Sequence, residues 1–258
     1  MHFIQPLQHL GRWIREAVFP IRCVGCQNYC RQEDLPYLCQ SCQAEVTIRR
    51  GSECIGCKAS SPTGQTCALC HTSWSVDRLF IATDYAQPAI ARLIQLLKYR
   101  FAADAAQTLG ILMKQYARQM ISAKNFNIFE DNKIIVPIPL SQARFRWRGF
   151  NQAQLIAQSL TDVIYLKIEN NFLLKTRQTP PQALIADRHQ RQENLRGAFA
   201  ISPTADIAGK NILLIDDICT TGATLNECAK ILKAKGAASV SAFVVARESW
   251  DKQKIGQN

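Results

Sequence analysis

The chain has 258 residues, 47% of them hydrophobic, which supplies one substantial core with a small accessory module beside it. Its 31 Lys and Arg against 20 Asp and Glu leave a formal charge of +11, a surplus that favours polyanionic partners: nucleic acid, acidic lipid or phosphorylated metabolites. No stretch approaches the roughly 20 apolar residues of a membrane span, and residues 1–11, interrupted by His2, Gln5, Gln8 and His9, lack the apolar region of a secretory signal.

Nine of the eleven cysteines fall before residue 71, so they form a local device and not a chain-wide disulfide framework. The expected compartment is a reducing cytosol, where thiolates hold metal more readily than they pair.

In chain order, residues 1–20 predict an amphipathic helix with Leu7, Leu10, Ile14 and Val18 on one face beside Arg12 and Arg15. Such a stripe packs on its own protein or makes a peripheral membrane or partner contact.

Residues 21–74 follow as a cysteine module. Cys23 and Cys26, Cys39 and Cys42, Cys54 and Cys57, and Cys67 and Cys70 are four C-x2-C knuckles, with Gly25 and Gly56 inside two of the turns. A knuckle presents two sulfurs from one tight loop, so four knuckles make two tetrahedral zinc sites with no open position, a structural role. Sequential pairing gives two ribbons, and an interleaved pairing satisfies the same spacing. Cys30 and His71 are bystanders in this reading.

From residue 75 to 250, strand-like and helix-like segments alternate, the pattern of a parallel α/β sheet. Strands are expected at 78–85, 133–138, 172–174, 211–215 and 239–246, and helices at 89–97, 104–120, 150–163 and 221–234. Residues 251–258 form a polar tail.

The most informative string is ILLIDDICTTGAT at 212–224. A buried strand carries Asp216 and Asp217 to its C-terminal end, and a Thr-Gly turn then opens a helix. The turn's amides, the hydroxyls of Thr220, Thr221 and Thr224, and the positive end of the helix dipole suit a dianionic phosphate, with Gly222 and Ala223 in the turn. The two acids suit ribose hydroxyls or a hydrated Mg2+ that bridges to a pyrophosphate. Cys219, within the string, has no partner base and reads as a packing residue.

Between the strands lies RFRWRGFN at 144–151, read as a loop. Arg144, Arg146 and Arg148 alternate with Phe145 and Trp147, and no acid intervenes. The pattern offers phosphate contacts and stacking planes for exposed bases, or guanidinium groups for a departing pyrophosphate. The plainer alternative is a solvated basic loop whose aromatics pack into the body.

The 212–224 string resembles the phosphoribosyl pyrophosphate motif of type I phosphoribosyltransferases. LKYR at 97–100, VPIPL at 136–140, RGFNQ at 148–152, Pro181 with Gln182 and Leu184, and NLRGAF at 194–199 resemble the ComF (ComFC) competence family. That family places a zinc-ribbon module before a phosphoribosyltransferase-like domain.

The resemblance implies handling of imported single-stranded DNA in the cytoplasm during natural transformation, with DNA-uptake or recombination proteins as further partners. It assigns Asp216 and Asp217 to ribose and Mg2+, residues 220–224 to the 5′-phosphate and Lys98 to the neighbourhood of the pyrophosphate. Arg144, Arg146, Trp147, Arg148, Phe150, Asn151 and Gln152 belong to a DNA-binding or mobile loop over the site. The alternative is an enzyme that transfers phosphoribose to an acceptor the sequence does not identify, because no base-recognition element is visible. The enzyme releases pyrophosphate; the binder shows salt-dependent DNA affinity without turnover.

Overall fold

A computed structural model describes residues 21–31, 33–124, 128, 134–160, 166–179 and 188–248. The expected helix at 1–20, residues 161–163 of the expected helix 150–163, the residues 181–184 and the tail at 251–258 lie outside them.

The centre is a four-stranded, all-parallel sheet. Strands β3 (Arg78–Asp84), β4 (Ile134–Pro137), β7 (Asn211–Cys219) and β8 (Ser239–Arg247) lie in the order β3-β8-β7-β4. These strands are near-continuous apolar runs because the sheet is covered on both faces, which parallel sheets require. Alternate side chains serve opposite layers. Phe80, Leu213, Ile215, Phe243 and Val245 enter one core, and Leu79, Ile81, Ile212, Leu214, Val240 and Val244 the other.

The first layer holds α3 (Pro88–Tyr99), α4 (Ala105–Lys124) and α6 (Gln152–Ser159). Helix α3 begins on Pro88, whose fixed φ suits a first turn, and buries Ile90, Leu93, Ile94 and Leu97, the face the periodicity predicts. The second layer holds α8 (Ala223–Ala234) and a hairpin of β5 (Leu173–Lys175) with β6 (Phe199–Ile201).

After residue 75, three elements are not among those expected. Residues 144–148 are helical, not a loop: α5 (Gln142–Arg148) starts where the Ser141 side chain accepts from the Arg144 N–H and stops at Gly149, φ +81°. Its seven residues are too few for an apolar period to show. Strand β6 has three residues, and α7 (Arg188–Leu195) is almost wholly polar, so neither carries a pattern.

The cysteine module consists of two short units. The first contains α1 (Gln40–Glu45); the second contains β1 (Ser52–Glu53), β2 (Ser60–Ser61) and α2 (Ala68–His71). They dock on opposite layers. Cys23, Val24 and Leu38 enter the core of α3 and α4, whereas Ile55 and Trp74 enter the core of α8. Among the described residues no helix is long and apolar enough to cross a membrane.

Candidate functional site

In a parallel sheet every C-terminal strand end lies on one edge, and ligands of open α/β sheets bind there. At that edge is a cleft of about 450 Å3. Tyr85 follows β3, Ile138 to Leu140 follow β4, Asp216 and Asp217 lie in the C-terminal half of β7 with Thr220 just beyond its end, and Glu248 follows β8; all of them line it.

Lys98 reaches the same place from the last turn of α3. Its Nζ lies 3.0 Å from Asp217 Oδ2, and Asp217 is 2% exposed. Burial opposes the Lys98 charge, but Asp217 and Asp216 outweigh it and the lysine pKa is raised. Asp216 accepts from the Asp217 N–H at 2.9 Å. Burial first, then the Asp217 charge, pushes the Asp216 carboxyl up to about 8, with Lys98 acting the other way. The pair therefore resists a second negative charge until a cation joins it.

Helix α5 contributes Arg144, Trp147 and Arg148, and α6 contributes Gln152. Arg148 is buried and donates to Gln152 Oε1, while its Nε finds no acceptor among the described residues. Burial lowers the Arg148 pKa. Arg144 also donates to the Thr179 carbonyl, at 3.4 Å.

Lys175 of β5 and Phe199 of β6 also line the cleft. Burial and then the nearby Arg144 bring Lys175 down to about 8. Sequence reasoning missed this part of the lining because its two three-residue strands are joined only in space.

Not every expected residue faces the cleft. Thr220 and Thr224 do. Thr221 is buried, and its hydroxyl accepts from the Ala223 N–H at 3.4 Å within the turn that leads into α8. Gly222, at φ +83°, is the turn itself. Arg146 is exposed away from the cleft, and Phe150 packs against the α3–α4 core. Asn151 caps α6 and donates to the Ile138 carbonyl.

The eight knuckle sulfurs form two sequential tetrads, Cys23/Cys26/Cys39/Cys42 and Cys54/Cys57/Cys67/Cys70, with sulfurs within 4.8 Å of one another in each. The pairing is sequential, not interleaved. Sulfurs 3.8 Å apart, as between Cys26 and Cys39 or Cys54 and Cys67, match the edge of about 3.8 Å that a tetrahedron with Zn–S arms of about 2.3 Å requires.

Backbone N–H groups also aim at the sulfurs: Gly25 and Cys39 at Cys23 Sγ, Cys67 at Cys54 Sγ. Burial opposes thiolate formation, yet these N–H groups bring Cys23 down to about 7 and Cys54 to about 6. A Cβ on Gly25 or Gly56 would stand 2.6 Å from Cys42 Sγ or 2.7 Å from Cys70 Sγ, so only glycine fits there. Both donor sets suit structural zinc. Cys30 and His71 stand outside the tetrads.

A family model for the phosphoribosyl transferase domain matches residues 111–255. The chain is 28% identical over 229 residues to the DNA utilization protein YhgH of Escherichia coli K12, covering 83% of this chain and 98% of the relative. It is 29% identical over 226 residues to Competence protein F of Haemophilus influenzae, covering 87% and 90%. Competence protein ComFC of Bacillus subtilis is 27% identical over 219 residues, covering 81% and 84%.

Proposed function

The chain belongs to the phosphoribosyl transferase domain family, in its ComF competence branch, and from that premise we propose that the cleft binds phosphoribosyl pyrophosphate with Mg2+ in a protein serving competence-associated use of DNA. One observation carries the reading. Asp216, Asp217, Thr220 and Thr224 share one cleft with Lys98, Arg148 and Lys175, cations drawn from three separate elements.

The roles follow from the donor types. Thr220, Thr224 and the start of α8 suit the 5′-phosphate. Asp216 and Asp217, two adjacent carboxylates, fit the ribose hydroxyls and Mg2+, a cation that takes oxygen ligands. When bound, Mg2+ neutralises pyrophosphate charge. Lys98, Arg144, Arg148 and Lys175 surround the remaining oxygens, one of which would supply the acceptor that the buried Arg148 Nε–H lacks. Cations held in place before the ligand arrives stabilise charge without reorganising.

A specific observation extends the reading to single-stranded DNA. Trp147, 55% exposed, stands at the cleft rim with Tyr99 and Phe101, 59% and 49% exposed, at ring-centroid distances of 6.4 and 5.2 Å. Exposed rings beside Arg144 and Arg146 form a stacking platform next to a phosphate site. DNA binding is thus assigned to the rim and the phosphoribosyl compound to the interior. Transfer of phosphoribose to an acceptor is the enzymatic alternative, and Phe199 and Lys175 form the wall against which such an acceptor would lie.

The test is Asp216→Asn with Asp217→Asn. The reading requires the double variant to stay folded and lose affinity for phosphoribosyl pyrophosphate with Mg2+. Unchanged affinity in equilibrium dialysis would remove the assignment. Pyrophosphate release by the native chain would favour the enzyme.

A further inference from the structure

The two cysteine tetrads stand in different relations to the phosphate turn. The first packs on α3 and α4: Arg92 donates to the Val24 carbonyl at 2.6 Å, and the Thr108 hydroxyl to the Pro36 carbonyl at 2.6 Å. The second packs on the turn itself.

Ile55, between Cys54 and Gly56, and Trp74, four residues after Cys70, are both buried in the α8 core. A Cβ on Gly222 would lie 2.9 Å from Ile55 Cγ1 and 3.1 Å from Trp74 Cζ3. The other side of the same indole abuts the knuckle, since a Cβ on Gly56 would lie 2.7 Å from Trp74 Nε1. One ring therefore touches the glycine of the metal knuckle and the glycine of the phosphate turn. One residue on, the Ser75 N–H donates to Asn226 Oδ1 at 2.7 Å in the first turn of α8.

A second connection is polar. Glu53, the residue before Cys54, lies between two arginines: Arg49 Nη1 at 3.0 Å from Oε2 and Arg247 Nε at 3.0 Å from Oε1. Arg247, buried at the end of β8, donates through Nη1 to Cys219 Sγ at 2.6 Å, directly before Thr220. The Glu248 N–H donates to the Cys219 carbonyl at 3.1 Å.

We infer that the second tetrad is the positioning element of the phosphate turn, with Trp74 and the Glu53–Arg247 pair as its positioning residues. Metal at that tetrad and anion at the turn are then linked, while metal at the first tetrad is not. The Gly222 backbone needs a φ of +83°, and it is held there by side chains whose own places depend on four sulfurs being gathered. Linkage is reciprocal, so an anion in the turn must raise the equilibrium affinity of the second tetrad for its metal by the factor by which that metal tightens the anion. The chemical class of effector is a thiophilic divalent cation, and the regulated event is phosphate capture.

The inference rests on the phosphate-turn reading, and its test separates the two. The full chain loaded with zinc is followed by hydrogen exchange at the amides of 220–226, a readout that needs no ligand, and by dialysis with phosphoribosyl pyrophosphate and Mg2+. Cys57→Ser breaks the second tetrad at an exposed sulfur. Trp74→Ala keeps all four sulfurs and removes the ring, so it decides should the serine variant fail to fold.

Both variants are expected to lose at least tenfold in amide protection of the turn, and in affinity for the probe. Arg92→Met, which loosens the first unit, is expected to change turn protection by less than twofold. Full protection in Trp74→Ala, or an equal loss in Arg92→Met, overturns the inference. Failure of the native chain to bind the probe removes the proposed ligand, while the exchange data still decide whether the tetrad positions the turn.

Discussion

Lys98 and Asp217 meet at 3.0 Å although 119 positions separate them, and the carboxylate is 2% exposed. Each accounts for the other. A carboxylate buried without a partner neutralises itself by binding a proton, and a buried ammonium by losing one. Beside Asp217 and Asp216 the lysine keeps its charge at the wall of the cleft.

Lys98→Met should therefore destabilise the chain by about 3 kcal/mol, the typical result of stranding one member of a buried pair. Adding Asp217→Asn should recover most of that stability and none of the affinity for phosphoribosyl pyrophosphate. Urea unfolding of the single and double variants checks the first statement and dialysis the second. A single variant as stable as the native chain would show the pair to be dispensable.

Asp216, raised to about 8 from an ordinary 3.8, gives a pH signature. The folded chain keeps a proton that the unfolded chain has already released, so the folded state binds more protons between those values. Stability from this group is thus lost as pH rises from about 4 to about 8, and Asp216→Asn should flatten that fall. Binding a cation at the pair expels the proton. Calorimetry near pH 7 in buffers of different ionisation enthalpy should show proton release on binding of Mg2+ and ligand, fading above pH 9 and absent in Asp216→Asn.

Each tetrad contributes residues to a core, so metal removal should be felt far from the sulfurs. Elemental analysis should give two zinc ions per chain, and a strong chelator should lower the thermal midpoint of the whole chain rather than melt a separate module. A chelated chain whose α/β body melts unchanged would contradict the packing of Val24, Leu38, Ile55 and Trp74.

The rim aromatics make a separate statement about DNA. Trp147→Ala should weaken single-stranded DNA binding by about 1–3 kcal/mol, the measured range for one stacked base, with little change in salt dependence. Arg144→Ala with Arg146→Ala should lower the salt slope by roughly one for each DNA phosphate that an arginine no longer neutralises. Anisotropy titrations at several salt concentrations distinguish the two effects.

How much of this was legible in the sequence depended on distance along the chain. The apolar face of α3 and the knuckles are local patterns and appear where spacing puts them, while the strand expected at 211–215 runs on to Cys219 and carries Asp216 and Asp217 within it. Thr220 and Thr224 follow from the same string. The inward turn of Arg148, the outward turn of Arg146 and the wall of Lys175 and Phe199 were not legible, because each is set by neighbours remote in sequence. A short helix begun by Ser141 and ended by Gly149 decides which arginine faces the cleft. The seating of the second tetrad on Gly222 is equally hidden: a glycine between Thr221 and Ala223 looks like turn chemistry until Ile55 and Trp74 are seen against it.

The most direct test of the central claim is a calorimetric titration of the zinc-loaded chain with phosphoribosyl pyrophosphate and Mg2+, repeated with single-stranded DNA present. Saturable, Mg2+-dependent binding of one ligand per chain, with an affinity that shifts when DNA is bound, is the predicted result. Heat no greater than dilution, with DNA still bound, would contradict it.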